Sequence, residues 1–244
     1  MMKRLVQDIG KHLCLLRELL ITGELFMGGM YVAGVVAGTV LMANDESVDS
    51  VFLMGTLMML VALLFSSFFS AAQMVSNYNY AIAMGQTRRQ TLPAYMVVTF
   101  VIYLIFDLTA VILHLLDRRL MSAMYPDMPL EDFAQGMFTG QYLFMIALVG
   151  TTFSMLIGAA IIRFGRAAYF AFWVLFMICF IGLPRSYSYL REYHMGAAFT
   201  VTLQQMLAYI GTHIHMVVVT GGLIGSALCL IGTWLILRRQ QVTV

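Results

Sequence analysis

Charge is scarce in this chain of 244 residues, because Asp, Glu, Lys and Arg make up 11% of it and hydrophobic residues 61%. Soluble domains carry about 25% charged residues. Together with a mean hydropathy of +0.87, this scarcity excludes a soluble domain and indicates a polytopic membrane protein. Six spans of about 20 residues each would use about half of the chain. The remainder suffices for loops but not for a separate soluble catalytic domain.

Nucleotide-binding and metal-binding motifs are also missing. The sequence has no Gly-rich phosphate loop ending in Lys-Ser or Lys-Thr, which excludes ATP hydrolysis by that route. Its cysteines, Cys14, Cys179 and Cys229, lack metal-ligand spacing and are interpreted as small apolar residues. His213 and His215 point to different faces of a helix, so we expect interfacial histidines and no metal site.

Long apolar runs are what the sequence has in abundance. Each run has about 17 to 25 residues, which fits a helix that crosses a hydrocarbon core of about 30 Å. We therefore predict an all-α polytopic membrane protein with six transmembrane helices, forming a single transmembrane domain over residues 1–244. The predicted spans are Leu25–Ala43, Val51–Val75, Pro93–Leu116, Tyr142–Ile162, Ala167–Leu183 and Ile214–Leu237.

The distribution of Lys and Arg orients these spans. Of the 14 Lys and Arg residues, all but four lie in the N-terminal segment, the 76–92 loop, the 163–166 loop and the C-terminal tail. The positive-inside rule places these segments in the cytoplasm. We expect a multi-pass protein of the cell membrane with both termini cytoplasmic.

Two segments outside the spans have helical patterns. In residues 1–24, apolar residues recur at spacings of three and four, which predicts an interfacial helix that is retained rather than cleaved. A soluble helix packed on a partner is the alternative. Residues 184–213 are predicted to be external, with a shallow re-entrant or surface helix.

Two ionisable residues in span 3 lie on roughly the same helix face. Asp107 is well inside the apolar core, and His114 follows two turns later. A carboxylate in lipid is costly, so Asp107 should face the bundle or a wet cavity. We favour a structural hydrogen bond from Asp107 to Ser, Thr or Tyr of a neighbouring helix, with His114 near the outer interface. The alternative is a residue that lines a pathway or relays protons.

Small and polar residues form regular stripes in spans 2 and 4. Gly150, Ser154 and Gly158 in span 4 would let helices approach closely. The stripe of span 2 is interpreted either as ordinary packing or as the wall of a substrate route, because Gln73 and Asn77 are costly to bury without partners. This span 2 stripe consists of Ser66, Ser70, Gln73 and Asn77.

A polar stretch from Tyr80 to Leu92 separates spans 2 and 3. If it is helical, Tyr80, Met84 and Thr87 share one face and Arg88 lies beside them. Such a face could enter a groove on a cytoplasmic partner. The alternative is that the two arginines of the stretch only hold the loop at the lipid headgroups.

Four features together resemble the type-2 class of ATP-binding-cassette (ABC) transporter permeases. They are six spans without soluble domains, an interfacial N-terminal helix, the polar loop between spans 2 and 3, and a long external segment between spans 5 and 6. Many bacterial members carry a Gly-x-[Ser/Thr]-Arg-[Arg/Lys] signature in the cytoplasmic loop after the second span, matched here by Gly85, Thr87, Arg88 and Arg89. The topological resemblance covers the whole chain, whereas this local motif is short.

The resemblance implies a mechanism and partners. The 77–91 segment would be a cytoplasmic coupling helix in a groove of a separate ATPase subunit, which binds ATP and Mg, so this chain would hold no cofactor and would not itself be an enzyme. This chain would pair with a second permease chain, either identical or a sibling, and the pair would bind two ATPase subunits. The complex would lie in membrane lipid and would not bind nucleic acid. The residues implied in coupling are Tyr80, Met84, Gly85, Thr87, Arg88 and Arg89.

Exporters of this class carry drugs, antimicrobial peptides or lipids, and a Met-, Phe- and Tyr-rich wall suits apolar cargo. Three alternatives remain. A membrane-embedded enzyme would need clustered His and carboxylates within the spans. A stand-alone secondary transporter would be favoured by inverted repeats, of which the sequence shows no convincing sign. An immunity or sensor permease of a peptide-resistance complex would share the same topology.

Overall fold

The computed structural model describes residues 16–44, 50–83, 88–132, 134, 136–178 and 213–238, with backbone alone at 88–90 and 214. This described part of the chain is almost entirely helical. Its helices are α1 (Arg17–Asn44), α2 (Met54–Ala83), α3 (Arg88–Met124), α4 (Gly140–Phe164), α5 (Arg166–Met177) and α6 (Ile214–Arg238).

Five of these helices, all except α5, are long and apolar enough to cross a membrane. The shortest of the five has 25 residues, and at about 1.5 Å per residue this length exceeds a hydrocarbon core of about 30 Å. The coarse prediction of an all-α, multi-pass membrane protein is confirmed.

The start of the first span differs from the prediction. Helix α1 begins at Arg17, whereas the predicted span begins at Leu25. Residues 17–24 therefore continue into the span, because Leu19 is buried in the core and Glu24 accepts a 3.0 Å hydrogen bond from Thr109 of α3. The rest of the predicted interfacial helix, residues 1–15, lies outside the described residues.

The second span begins later than predicted. Val51–Phe52 forms a short strand, β1, which pairs in parallel with β2, Leu130–Glu131. The Val51 amide also donates to the Pro129 carbonyl at 2.9 Å. Because this pairing holds the chain extended, α2 starts at Met54 instead of Val51. The sheet joins the α1–α2 connection to the α3–α4 connection.

The coupling helix predicted over residues 77–91 is not a separate element within the described residues. Residues 77–83 complete α2, and residues 88–91 begin α3. The sequence before Gly85 contains no Gly or Pro in α2's last turns, so nothing in it stops the helix earlier. The connecting residues 84–87 lie outside the described residues.

The fifth predicted span, Ala167–Leu183, corresponds in part to α5. This helix runs from Arg166 to Met177 and has 12 residues. Residues 179–183 of the predicted span lie outside the described residues. Gly165 separates α5 from α4 with a φ of +68°, a backbone conformation that glycine adopts without strain. The predicted external segment 184–213 lies outside the described residues, except for His213.

Small residues bring the helices close together. An added Cβ at Gly34 of α1 would lie 2.5 Å from the Met54 carbonyl oxygen of α2. In α4, the corresponding contacts are Gly150 against Tyr103 of α3 and Gly158 against Met74 of α2. The expected role of the span 4 stripe in close helix approach is confirmed.

Helices α4 and α6 begin side by side. The Tyr142 hydroxyl, near the start of α4, lies 2.7 Å from Nδ1 of His215, near the start of α6, and the two rings stack at 5.1 Å. Further along, an added Cβ at Gly232 of α6 would lie 2.9 Å from Leu156 of α4. The two helices therefore run parallel along their length.

Candidate functional site

A cavity of about 650 Å³ lies between α2, α4 and α5, with Tyr103 of α3 and Val218 of α6 completing its wall. Those of its lining residues that the structure describes are apolar except for the hydroxyls of Ser67 and Tyr103. Ligand pockets of small molecules are typically concave, mostly apolar and about 300 to 1,000 Å³ in volume. Among the described residues, this cavity is the candidate binding site.

Aromatic packing forms one side of the cavity. Phe68 of α2 contacts Phe176 of α5 at a centroid separation of 5.4 Å, and Phe153 of α4 contacts Phe172 of α5 at 6.3 Å. Trp173 packs behind this wall, 6.1 Å from Phe68. Offset and edge-to-face ring pairs of this kind hold α5 against the bundle.

The two hydroxyls of the cavity bond to each other. Tyr103 donates to Ser67 Oγ at 3.1 Å. Tyr103 reaches this position because Gly150 opposite it has no side chain, and an added Cβ there would lie 2.7 Å from the tyrosine ring. The polar groups of the wall are thus largely satisfied within the protein.

The polar stripe predicted for span 2 lies beside the cavity and not on its lining. Ser66 donates to the Leu63 carbonyl at 2.6 Å, and Ser70 donates to Ser154 of α4 at 3.3 Å. Both serines are buried. Their bonds are those of helix packing, and the structure brings the neighbouring Ser67, not identified from the sequence, to the cavity.

The remaining members of that stripe are less well satisfied. Asn77 is buried at 5% exposure, and its Nδ2 has no hydrogen-bond partner among the described residues. Gln73 is partly buried. Neither residue is part of the cavity lining. Their assignment to a substrate route stays a prediction.

Asp107 lies in the interior of α3 with 2% of its surface exposed. Neither carboxylate oxygen has a hydrogen-bond partner in the described part of the chain. The favoured interpretation, a structural hydrogen bond to a neighbouring helix, therefore finds no support in these residues. A buried carboxyl group without a partner is energetically costly.

His114 is buried in a polar cluster rather than merely near an outer interface. It lies on the same buried face as Asp107, as the sequence indicates. Its Nδ1 lies 3.2 Å from the hydroxyl of Thr56, and that hydroxyl and the Thr56 amide donate to Asp117 Oδ2 at 2.9 and 2.7 Å. Asp117 thereby satisfies an amide of the first turn of α2, which no residue within that helix can do.

A loop residue completes this cluster. Asp132, directly after β2, lies 3.5 Å from His114 Nε2 and 3.9 Å from the Arg118 guanidinium. The His114 ring stacks on Phe138 at 4.6 Å. Sequence reasoning did not identify this cluster. The sequence feature that could have indicated it is that His114 and Asp117 are three residues apart at the end of a span, a spacing that places both on one face of the helix.

The residues implied in coupling are located only in part. Tyr80 is in the last turn of α2 and 54% exposed. Arg88 and Arg89 begin α3, and their side chains are outside the description, as are Met84, Gly85 and Thr87 entirely. The shared face predicted for Tyr80, Met84 and Thr87 therefore stays a prediction.

Within the described ranges, no group of three His, Cys, Asp or Glu residues is arranged to hold a metal ion. Comparisons of the chain with protein-family models, with curated proteins and with solved structures found no match.

Proposed function

We propose that this chain is the membrane-spanning permease subunit of an ABC transporter, which exports hydrophobic or amphipathic cargo while separate subunits hydrolyse ATP. The observation that carries the proposal is the length of two helices. Helix α2 has 30 residues and α3 has 37, which correspond to about 45 and 55 Å at 1.5 Å per residue. Both exceed the hydrocarbon core by 15 Å or more, at about 30 Å thickness.

The part of this excess that extends beyond the predicted spans at their cytoplasmic ends, residues 76–83 of α2 and 88–92 of α3, supports a contact with a cytoplasmic partner. The two helices are joined by only four residues, 84–87, and Arg88 and Arg89 follow directly at the start of α3. A helical hairpin that projects from the bilayer on its positively charged side offers a rigid contact surface. Exposed Tyr80 would lie on this surface, which takes the place of the separate coupling helix expected from the sequence.

The arrangement of α4 and α6 supports six crossings. Because the two helices begin side by side, the chain between residues 165 and 213 has to return from the end of α4 to the level of its start. Helix α5 begins that return, since Tyr169 contacts Phe68 and Phe176 contacts Phe65 of α2. Six crossings would leave both termini on one side, in the cytoplasm of the cell by the charge distribution.

The outer faces of the bundle leave room for a second permease chain. Helix α6 exposes large apolar residues such as Leu228 and Trp234, and an added Cβ at Gly221 or Gly225 would meet nothing within 4 Å. Small residues on an open face let a helix of another chain approach closely. The partner would be a second copy or a sibling permease.

The partner contact is tested by photo-cross-linking in the native membrane. A photoreactive amino acid at Tyr80 is expected to cross-link to an ATP-binding subunit, identified by mass spectrometry. The matched control carries the same amino acid at Ile112, exposed at 58% in the interior of α3, and should cross-link to lipid. Cross-linking of Tyr80 to lipid alone would contradict the contact.

A stand-alone secondary transporter is the second candidate, and Asp107 is the observation that favours it. A buried, unpartnered carboxyl group in a span is typical of residues that bind or relay protons. The purified chain alone, in proteoliposomes, would then move cargo in response to a pH gradient without ATP. Transport that requires ATP and a second subunit would exclude this candidate.

A further inference from the structure

We infer that the cavity between α2, α4 and α5 is a binding site for one hydrocarbon chain of a membrane lipid, which enters from the bilayer. The inference rests on the proposed function in one respect: if the chain exports cargo, this lipid is the class of cargo. Binding itself follows from the position and the chemistry of the cavity.

The cavity lies at the depth of the hydrocarbon core. Its lining residues on α2 fall between Leu60 and Phe68, and those on α4 fall between Met145 and Phe153. Both sets begin at least five residues inside their helices. A ligand that reaches this depth through the bilayer has to be soluble in hydrocarbon.

Among the described lining residues, the wall offers a ligand only two polar groups, and these are bonded to each other. The hydroxyls of Ser67 and Tyr103 bond to each other, and the other lining side chains carry no nitrogen or oxygen. A charged or hydrogen-bonding group placed here would lose its water without compensation. An unsubstituted alkyl chain has no polar group to desolvate, and burial of its apolar surface in the cavity is favourable.

The rim of the cavity is exposed on the outer surface of the bundle. Leu64 is 43% exposed, Val149 is 38% exposed and Leu175 is 55% exposed, and all three line the cavity. Residues that contact both the cavity and the surface of the bundle mark an opening between them. Since this opening lies within the membrane, the occupant that it meets first is a lipid chain.

Trp173 makes the binding measurable. The chain has two tryptophans, and Trp173 packs on Phe68 and Phe176, which line the cavity. In a Trp234→Phe variant, Trp173 is the sole indole. Bromine atoms quench indole fluorescence at short range, so phosphatidylcholine with brominated chains, added to the purified full chain in detergent, reports the occupied cavity through the wall residues on which Trp173 packs.

We expect quenching of Trp173 that saturates and that unbrominated phosphatidylcholine reverses. A cavity-filling variant, Leu64→Phe with Val149→Phe, should bind the probe about tenfold more weakly. The matched control is Leu104→Phe with Val101→Phe, at 38% and 43% exposure, which enlarges two α3 residues outside the cavity. This control should bind like the parent protein.

Three results would overturn the inference. The first is quenching that rises in proportion to lipid without saturation, as for an indole in contact with bulk lipid. The second is equal binding by the filled and control variants, both checked for folding by size-exclusion chromatography. The third is absence of quenching, which would mean that another part of this chain or a second copy fills the cavity. Because no ATPase subunit is present, none of these results bears on the coupling contact.

Discussion

At the scale of single residues, Asp117 and Asp107 illustrate two opposite ways to bury a carboxyl group in a membrane protein. Asp117 has no exposed surface, and its Oδ2 accepts two hydrogen bonds from Thr56 at the start of α2. Asp107 lies three turns earlier in the same helix, buried and without a hydrogen-bond partner among the described residues. Replacing them should therefore change stability in opposite directions.

Asp117→Ala should destabilise the protein by about 2 to 4 kcal/mol, because it removes both hydrogen bonds that Asp117 accepts from Thr56 and leaves the buried Thr56 amide unsatisfied. Thermal unfolding in detergent measures the loss. Asp117→Asn keeps one acceptor oxygen and should lie between Asp117→Ala and the parent protein. The control is Asp127→Ala, an exposed Asp near β2, with stability close to that of the parent. Equal stability of Asp117→Ala and Asp127→Ala would show that the Thr56 bonds contribute nothing.

Asp107→Leu should stabilise the protein by about 1 to 3 kcal/mol, because an apolar side chain of similar size removes the cost of burying an unpartnered polar group. A structural hydrogen bond from Asp107 to a neighbouring helix, the interpretation favoured from the sequence, predicts the opposite, a lower folded yield. Unfolding of Asp107→Leu is measured beside Asp117→Leu, which should be strongly destabilised. If Asp107 also serves transport, the Leu variant gains stability and loses transport. A destabilised Asp107→Leu would mean that the carboxylate has a partner after all.

The sequence predicted some of these residue roles and not others. The common buried face of Asp107 and His114 follows from helical spacing and is confirmed. The contact of His114 with Asp132 was not predictable, because it depends on how the α3–α4 connection folds back onto the end of α3. The same holds for Ser67, whose place at the cavity depends on where α4 and α5 pack against α2.

At the scale of the elements, the apolar runs located the long helices, while their ends were set by tertiary contacts. Helix α1 extends back to Arg17 because Leu19 and Glu24 have partners in the bundle. Helix α2 is shortened at its start because Val51 pairs with Leu130 across the sheet. Neither partner is near in sequence, so hydropathy alone could not fix these boundaries.

Close packing of α1 on α2 gives a prediction at Gly34. Gly34→Ala should destabilise the protein by about 1 to 3 kcal/mol, because the new Cβ would lie 2.5 and 2.9 Å from backbone atoms of Met54 and Gly55, which cannot move aside cheaply. Unfolding in detergent measures the effect. Gly28→Ala is the control on the same helix, since its Cβ would meet nothing within 4 Å, and it should be neutral or slightly stabilising. Equal effects at both sites would contradict this packing.

At the scale of the whole molecule, the orientation of the bundle is testable by labelling. A single Cys at Gln86, in a chain whose native cysteines are replaced, should react with a membrane-impermeant maleimide only after permeabilisation. A single Cys at Ser188 should react in intact cells. The physical reason is the excess of Lys and Arg on the side of the α2–α3 connection. The reverse pattern of labelling would overturn the proposed orientation.

The proposed function rests on energy transfer from an ATPase to the α2–α3 hairpin, and stimulation of ATP hydrolysis by cargo measures that transfer most directly. In a reconstituted complex, Met84→Asp with Gly85→Leu should abolish the stimulation, while the permease still inserts. A matched control, Met128→Asp with Ser122→Leu, should keep it; Ser122 lies at the opposite end of α3 and Met128 just beyond it, and both are exposed. Intact cargo-stimulated hydrolysis in the Met84 and Gly85 variant would contradict the account.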